Sequence, residues 1–116
     1  MIVVIQGTRA FNDYTVFLRA MGTALRSIPE GDKEFFVFSA GPVNINQFGL
    51  EFMNVNERSM KGYGIKTKFI KVPPSWIEEN MHTIDYFAFF SKPKEGLSKQ
   101  VQLADAKNVE VGVYRY

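Results

Sequence analysis

The stretch Ile2-Val3-Val4-Ile5-Gln6-Gly7-Thr8-Arg9 opens with four apolar β-formers in succession. That is the composition of a strand buried on both faces, and such a strand is central in a sheet. Gly7 permits a tight turn, Thr8 offers a hydroxyl and Arg9 a guanidinium, just ahead of a helix start at Asn12 or Asp13. Open α/β sheets bind phosphorylated ligands where a strand ends in such a turn before a helix. The alternative is that Thr8 and Arg9 only shape the loop.

Downstream of this corner, Phe17, Ala20, Met21, Ala24 and Ile28 recur at helical spacing, which predicts a helix from Asp13 to Ser27, stopped by Pro29-Glu30-Gly31. Phe35-Phe36-Val37-Phe38 then leads into Ser39-Ala40-Gly41-Pro42, a second small-residue corner ahead of a helix. That helix starts at Asn44 or Asn46, carries Phe48, Phe52, Val55 and Met60 on its apolar stripe, and ends at Lys61-Gly62-Tyr63-Gly64. Gly49 lets a neighbour approach its backbone closely. Ile65 to Val72 alternates with lysines on one face and runs into Pro73-Pro74, the signature of an edge strand. Trp76 follows, in a loop or short helical turn through Met81.

Ile84 to Phe90 is the second run apolar on both faces and is placed beside the first strand. After the loop Ser91–Gly96, Leu97, Val101 and Ala104 mark a short helix led by Ser98, and Val109, Val111 and Val113 alternate as a last edge strand. Five strands alternating with helices predict an α/β fold with a parallel sheet, and right-handed crossovers with two buried central strands favour the order 3-2-1-4-5. The switch-point crevice then gathers Gly7-Thr8-Arg9, Ser39-Ala40-Gly41 and the loop before Gly96.

Composition narrows the classes. A chain of 116 residues is read as one domain, 1–116, and 46% hydrophobic with 22% charged residues excludes disorder and collagen-like repeats. A net charge of +2 with scattered lysines gives no nucleic-acid footprint, so none is expected as partner. The absence of cysteine removes disulfides and thiolate metal sites, and the single His82 cannot build a histidine site. Without a basic-then-apolar leader or a long apolar run, the expectation is a cytoplasmic protein with no membrane contact.

These corners resemble those of the SLOG superfamily of Rossmann-like nucleotide-binding proteins, which includes the LOG phosphoribohydrolases. In that pattern the first strand ends in Gly-Ser/Thr-Arg before a polar helix start, matched here by Gly7-Thr8-Arg9 and Asp13. The second strand ends in Ser-Gly-Gly, then Gly-Ala-Asp and a later Gly; this chain has Ser39-Ala40-Gly41, Asn44-Ile45-Asn46 and Gly49 at the same spacing. Trp76, Asn80 with Met81, the run Asp85–Phe90 and Gly96-Leu97-Ser98 are similar to the later blocks. The resemblance implies a three-layer Rossmann-like fold, a nucleotide-like ligand at the C-terminal edge of the sheet, and often a homodimer or larger oligomer. An aromatic share of 15% in a small chain also points to self-association.

The departures bear on function. Asn44 and Asn46 stand in place of glycine and aspartate, and the LOG-type glutamate three residues after the threonine falls on Val101, which cannot exchange a proton. The resulting expectation is binding of a nucleotide or nucleoside-phosphate derivative, as sensor or sequestering agent, with no cofactor and no metal. Its ligand residues are Gly7, Thr8, Arg9, Ser39, Ala40, Gly41, Asn46, Asn80, Gly96 and Ser98. The competing readings are a nucleotide-processing hydrolase using Glu78, Glu79, Asp13 or Asp85, and an interaction module with a degenerate pocket. Arg9 is either a phosphate ligand or a brace for Asp13, Asn46 a ligand or a helix cap, and Asn80 a base or ribose reader or a turn residue. Trp76 stacks on a base or covers the core. His82 is read as solvent-facing.

Overall fold

A computed structural model describes residues 1–116. Strands β1 (Ile2–Gly7), β2 (Glu34–Ser39), β3 (Lys66–Lys71), β4 (Tyr86–Ser91) and β5 (Val111–Arg115) form one all-parallel sheet in the order β3-β2-β1-β4-β5. Helices α1 (Tyr14–Arg26), α2 (Val43–Gly62), α3 (Pro74–Glu79) and α4 (Lys99–Ala106) connect the strands, with a 3-10 turn at Met81–Thr83. This is the predicted three-layer α/β architecture, and the strand order follows the logic that predicted it. Val3, Val4 and Ile5 are fully buried, β4 is buried along its whole length, and the alternating β3 and β5 lie at the edges.

The two sheet faces are unequal. One carries α1 and α2 over Val3, Ile5, Phe35, Val37, Ala88 and Phe90, all without exposed surface, and holds the larger apolar cluster. The other holds Val4, Phe87 and Phe89 beneath Ile77, Val101 and Ala104 of the shorter α3 and α4. Asp13 caps α1, its Oδ1 accepting from the amides of Thr15 at 3.0 Å and Val16 at 3.2 Å. Asp13→Ala should therefore lower stability by about 1 kcal/mol in a urea titration, and Asp13→Asn by much less. A loss in Asp13→Asn as large as in Asp13→Ala would show that the cap is not what Asp13 contributes.

Several details differ from expectation. Val55 is 71% exposed, because the buried stripe of α2 runs through Ile45, Gly49, Phe52, Met53 and Met60. Ile84 and Asp85 precede β4, the 3-10 turn having claimed the chain up to Thr83, and Leu97 lies outside α4. Gly49 matches the expected close approach: a Cβ there would meet Phe69 Cε1 at 2.6 Å and Ile5 Cδ1 at 2.9 Å. The aromatic excess fills the core, with Phe11, Phe17, Phe35, Phe87 and Phe90 fully buried, and Tyr63 is the only ring among the exposed large apolar side chains. That removes the aromatic share as a motive for self-association. No helix is long and apolar enough to cross a membrane.

Candidate functional site

Three strand ends meet at the C-terminal edge of the sheet. The Gly7 amide donates to the Gly41 carbonyl at 3.1 Å, the Thr8 amide to the Phe90 carbonyl at 2.9 Å and the Ala40 amide to the Ile5 carbonyl at 3.0 Å. The corner after β1 is thus fastened to the corner after β2 on one side and to β4 on the other. A side chain at Gly7 would be tight, since a Cβ would stand 3.0 Å from Ile45 Cδ1 and 3.1 Å from the Phe90 carbonyl. Gly41 adopts φ +87°, a left-handed conformation that a residue with a Cβ reaches only at a cost.

The second corner delivers the chain into α2. Ser39 Oγ donates to Asn46 Oδ1 at 2.5 Å and accepts from the Gly41 amide at 3.4 Å, while Asn44 Nδ2 donates to the Phe11 carbonyl at 3.1 Å. Asn44 and Asn46 therefore anchor the start of α2 to the first two corners. The residue ahead of α2 is Pro42, which has no side chain to offer the helix, and the amides of Val43, Asn44 and Ile45 have no acceptor in the protein. Unsatisfied amides at the positive end of a 20-residue helix attract anions.

Arg9, Ala40, Gly41, Pro42, Val43, Asn44 and Asn46 line an open cleft of about 600 Å³ over this helix start. Its volume lies within the usual range for small-molecule sites. Arg9 is exposed and its guanidinium has no partner in the protein; Asp13, the brace considered from sequence, caps α1 through Oδ1. No carboxylate lines the cleft.

No family model, curated protein or solved structure matches the chain.

Of the residues named from sequence, Arg9, Ala40, Gly41 and Asn46 line the cleft, and Gly7 and Ser39 support it from below. Asn46 does not cap α2; its side chain holds Ser39. Thr8 turns the other way, donating to Glu95 Oε1 at 3.0 Å and sharing a 2.8 Å hydrogen bond with the Tyr116 hydroxyl. Glu95 Oε1 also accepts from the Lys92 amide at 2.7 Å, and Arg115 donates to Ser91 Oγ and to the Lys92 carbonyl, so the loop after β4 is tied to β5. Gly96 stands in open space in that loop. Asn80 ends α3, its Nδ2 donating to the Trp76 carbonyl at 2.9 Å, and leads toward the N-terminal edge, away from the cleft. Trp76 stacks on Phe38 with ring centroids 4.3 Å apart, the core-covering role, and His82 is exposed.

Ser98 caps α4, accepting from the Val101 amide at 3.1 Å and donating to Gln6 Oε1 at 2.7 Å. Gln6 in turn donates to Gln100 Oε1 at 3.1 Å, and Glu78, paired with Lys99 at 3.2 Å, lies at the far end of the same chain of polar groups. Gln6, Gln100, Glu95, Arg115 and Tyr116 are polar residues at this edge that sequence reasoning did not select. A glutamine directly after four apolar strand residues was the available signal for Gln6. Val101 is 1% exposed within the smaller apolar cluster, a packing residue with no access to the cleft.

Proposed function

We propose that this chain binds a nucleotide or related phosphorylated small molecule at the C-terminal edge of its sheet, as a sensor or sequestering protein. One observation carries the reading: a guanidinium without a partner and the uncapped first turn of α2 open onto one cleft that has no carboxylate in its wall. The phosphate would be held by the amides of Val43 and Asn44 and by Arg9, with Gly41 allowing close approach of the backbone. The resemblance of the corner motifs to the SLOG superfamily supports the same ligand class. Turnover is not part of the proposal, because the position of the LOG-type glutamate is the buried Val101 and the carboxylate nearest the corner, Glu95, is occupied by Thr8 and Lys92.

Calorimetric titration with nucleoside mono- and diphosphates tests this, preceded by a thermal-shift screen in which ligand at about 100 times its dissociation constant adds roughly 2.7 kcal/mol of stability. Arg9→Ala removes a charge-assisted contact of about 1.5–3 kcal/mol and should weaken binding roughly ten- to a hundredfold. Arg9 is exposed and unpaired, so the melting temperature of the free protein should stay unchanged. A screen in which no phosphorylated ligand stabilises the protein would overturn the proposal. Release of free base from a nucleoside monophosphate, lost in Glu95→Gln or Glu78→Gln, would replace it with the hydrolase reading.

A further inference from the structure

The sheet face beneath α3 and α4 is only half covered. Register and alternation place Ile2, Phe36 and Lys68 side by side on that face, with Ile70 above Lys68 and Lys66 below it. Ile2, Phe36 and Ile70 are half-buried and pack into neither apolar cluster. The reason is the length of α3: at six residues it lies against α4, and the helix in substantial contact with β2 and β3 is α2, on the opposite face. All-parallel sheets are normally covered on both faces, so a bare apolar row around an aromatic ring is an unpartnered surface.

Charge identifies the partner. The chain carries a net charge of only +2, yet β3 sets the exposed Lys66 and Lys68 on this face, while Lys71 falls on the opposite face together with α2. Lysines on an edge strand also discourage strand-to-strand aggregation. That role does not require the half-buried Phe36 beside them, or lysines on the same face as the uncovered apolar row. Two lysines two residues apart on a strand are separated by roughly 6.6 Å, close to the phosphate spacing of an extended polynucleotide. An aromatic ring on an open sheet flanked by such cations is the stacking-plus-phosphate arrangement that holds single-stranded nucleic acid. Glu34, opposite Lys66, is the one carboxylate that β2 and β3 place on this face, and it lies at the start of β2, beyond Phe36.

We propose that this face binds single-stranded nucleic acid, with a base stacked on Phe36 and phosphates on Lys66 and Lys68. The surface is on the β2–β3 half of the sheet and shares no residue with the Arg9 cleft, so the inference stands independently of the function proposed above.

Fluorescence anisotropy with a labelled oligo(dT) of about 20 nucleotides, read at several salt concentrations, tests it. Phe36→Ala should weaken binding roughly ten- to a hundredfold, and Phe36→Tyr should restore it. Lys66→Ala with Lys68→Ala should lower the slope of log affinity against log salt by about 1.4, whereas Lys107→Ala, ahead of β5 at the other edge, should leave it unchanged. Arg9→Ala should leave oligonucleotide binding intact. Absence of binding at low salt would overturn the proposal, as would equal affinity for duplex DNA with no effect of Phe36→Ala. If Phe36→Ala instead dissociates a dimer in light scattering without affecting oligonucleotide binding, a second copy of the chain covers the face and the proposal fails.

Discussion

Replacing Phe90 by alanine should lower the unfolding free energy by about 3–5 kcal/mol, a large part of the roughly 5–15 kcal/mol that holds a domain folded. Phe90 is fully buried and is the ring on which the larger cluster converges. It stacks on Phe11 at 4.7 Å, on Phe17 at 5.5 Å and on Tyr114 at 5.5 Å between centroids, joining the first loop, α1 and β5 across β4. Alanine leaves a cavity walled by three aromatic groups that cannot collapse without moving a helix or a strand. Its carbonyl also accepts the Thr8 amide, so the same residue forms the floor of the corner that presents Arg9. A urea titration measures the loss. A loss below about 1 kcal/mol would mean that the aromatic cluster does not carry the packing described for it.

The fold was legible because its two central strands announce themselves. A half-buried strand alternates and a doubly buried one does not, so Ile2–Ile5 and Ile84–Phe90 could be recognised as neighbours, and right-handed crossovers then left few arrangements. What failed to show was local competition between elements. Ile84 has the composition of the following strand, yet the 3-10 turn at Met81–Thr83 and its own extended conformation place it just before the ladder begins. Val55 has the spacing of the α2 stripe, but the stripe is set by what α2 lies on. Gly49 brings the helix down onto Phe69 and Ile5, and Val55 rotates to solvent.

The site was legible in its backbone and much less in its side chains. Gly41 takes a backbone conformation that other residues reach only at a cost, Gly7 sits where a side chain would be tight, and both lie at the strand ends where the turn logic put them. A hydroxyl or amide in a motif has several partners available, and only the tertiary arrangement selects one. Thr8 chose Glu95 and Tyr116, Ser98 chose Val101 and Gln6, and Asn46 chose Ser39. The cap that Ser98 gives Val101 is local and was legible, but Gln6 lies 92 residues from Ser98 and the partners of Thr8 lie 87 and 108 residues away, beyond the reach of any local pattern. The open end of α2 was hidden for a related reason. Asn44 and Asn46 look like helix caps, whereas the helix starts at Val43 behind a proline.

Gly112→Ala should destabilise the protein by about 2–5 kcal/mol, out of proportion to the single methyl it adds. Gly112 sits on edge strand β5, where alanine would ordinarily be harmless. Here Tyr86 reaches across from β4, and a Cβ at position 112 would press into its hydroxyl oxygen and approach Tyr114 Cε2 at 2.8 Å. The two hydroxyls share a 2.5 Å hydrogen bond, and Tyr86 is 4% exposed, so displacing it adds a broken buried hydrogen bond to the steric cost. A double-mutant cycle separates the parts. Tyr86→Phe removes the oxygen that the new methyl meets, so the cost of Gly112→Ala should fall by more than about 1 kcal/mol in that background. Equal cost in both backgrounds would show that β5 rejects alanine for another reason. The same hydroxyl gives a pH signature. Burial, and secondarily the Tyr114 hydroxyl, raise the Tyr86 pKa above the ordinary phenol value of 10.0. The folded state therefore keeps the proton after the unfolded chain has begun to lose it; this stabilising contribution is complete below about pH 10 and declines as pH rises beyond that. Wild-type protein should accordingly lose more stability than Tyr86→Phe between about pH 9 and pH 11, and parallel curves would remove Tyr86 from the alkaline transition.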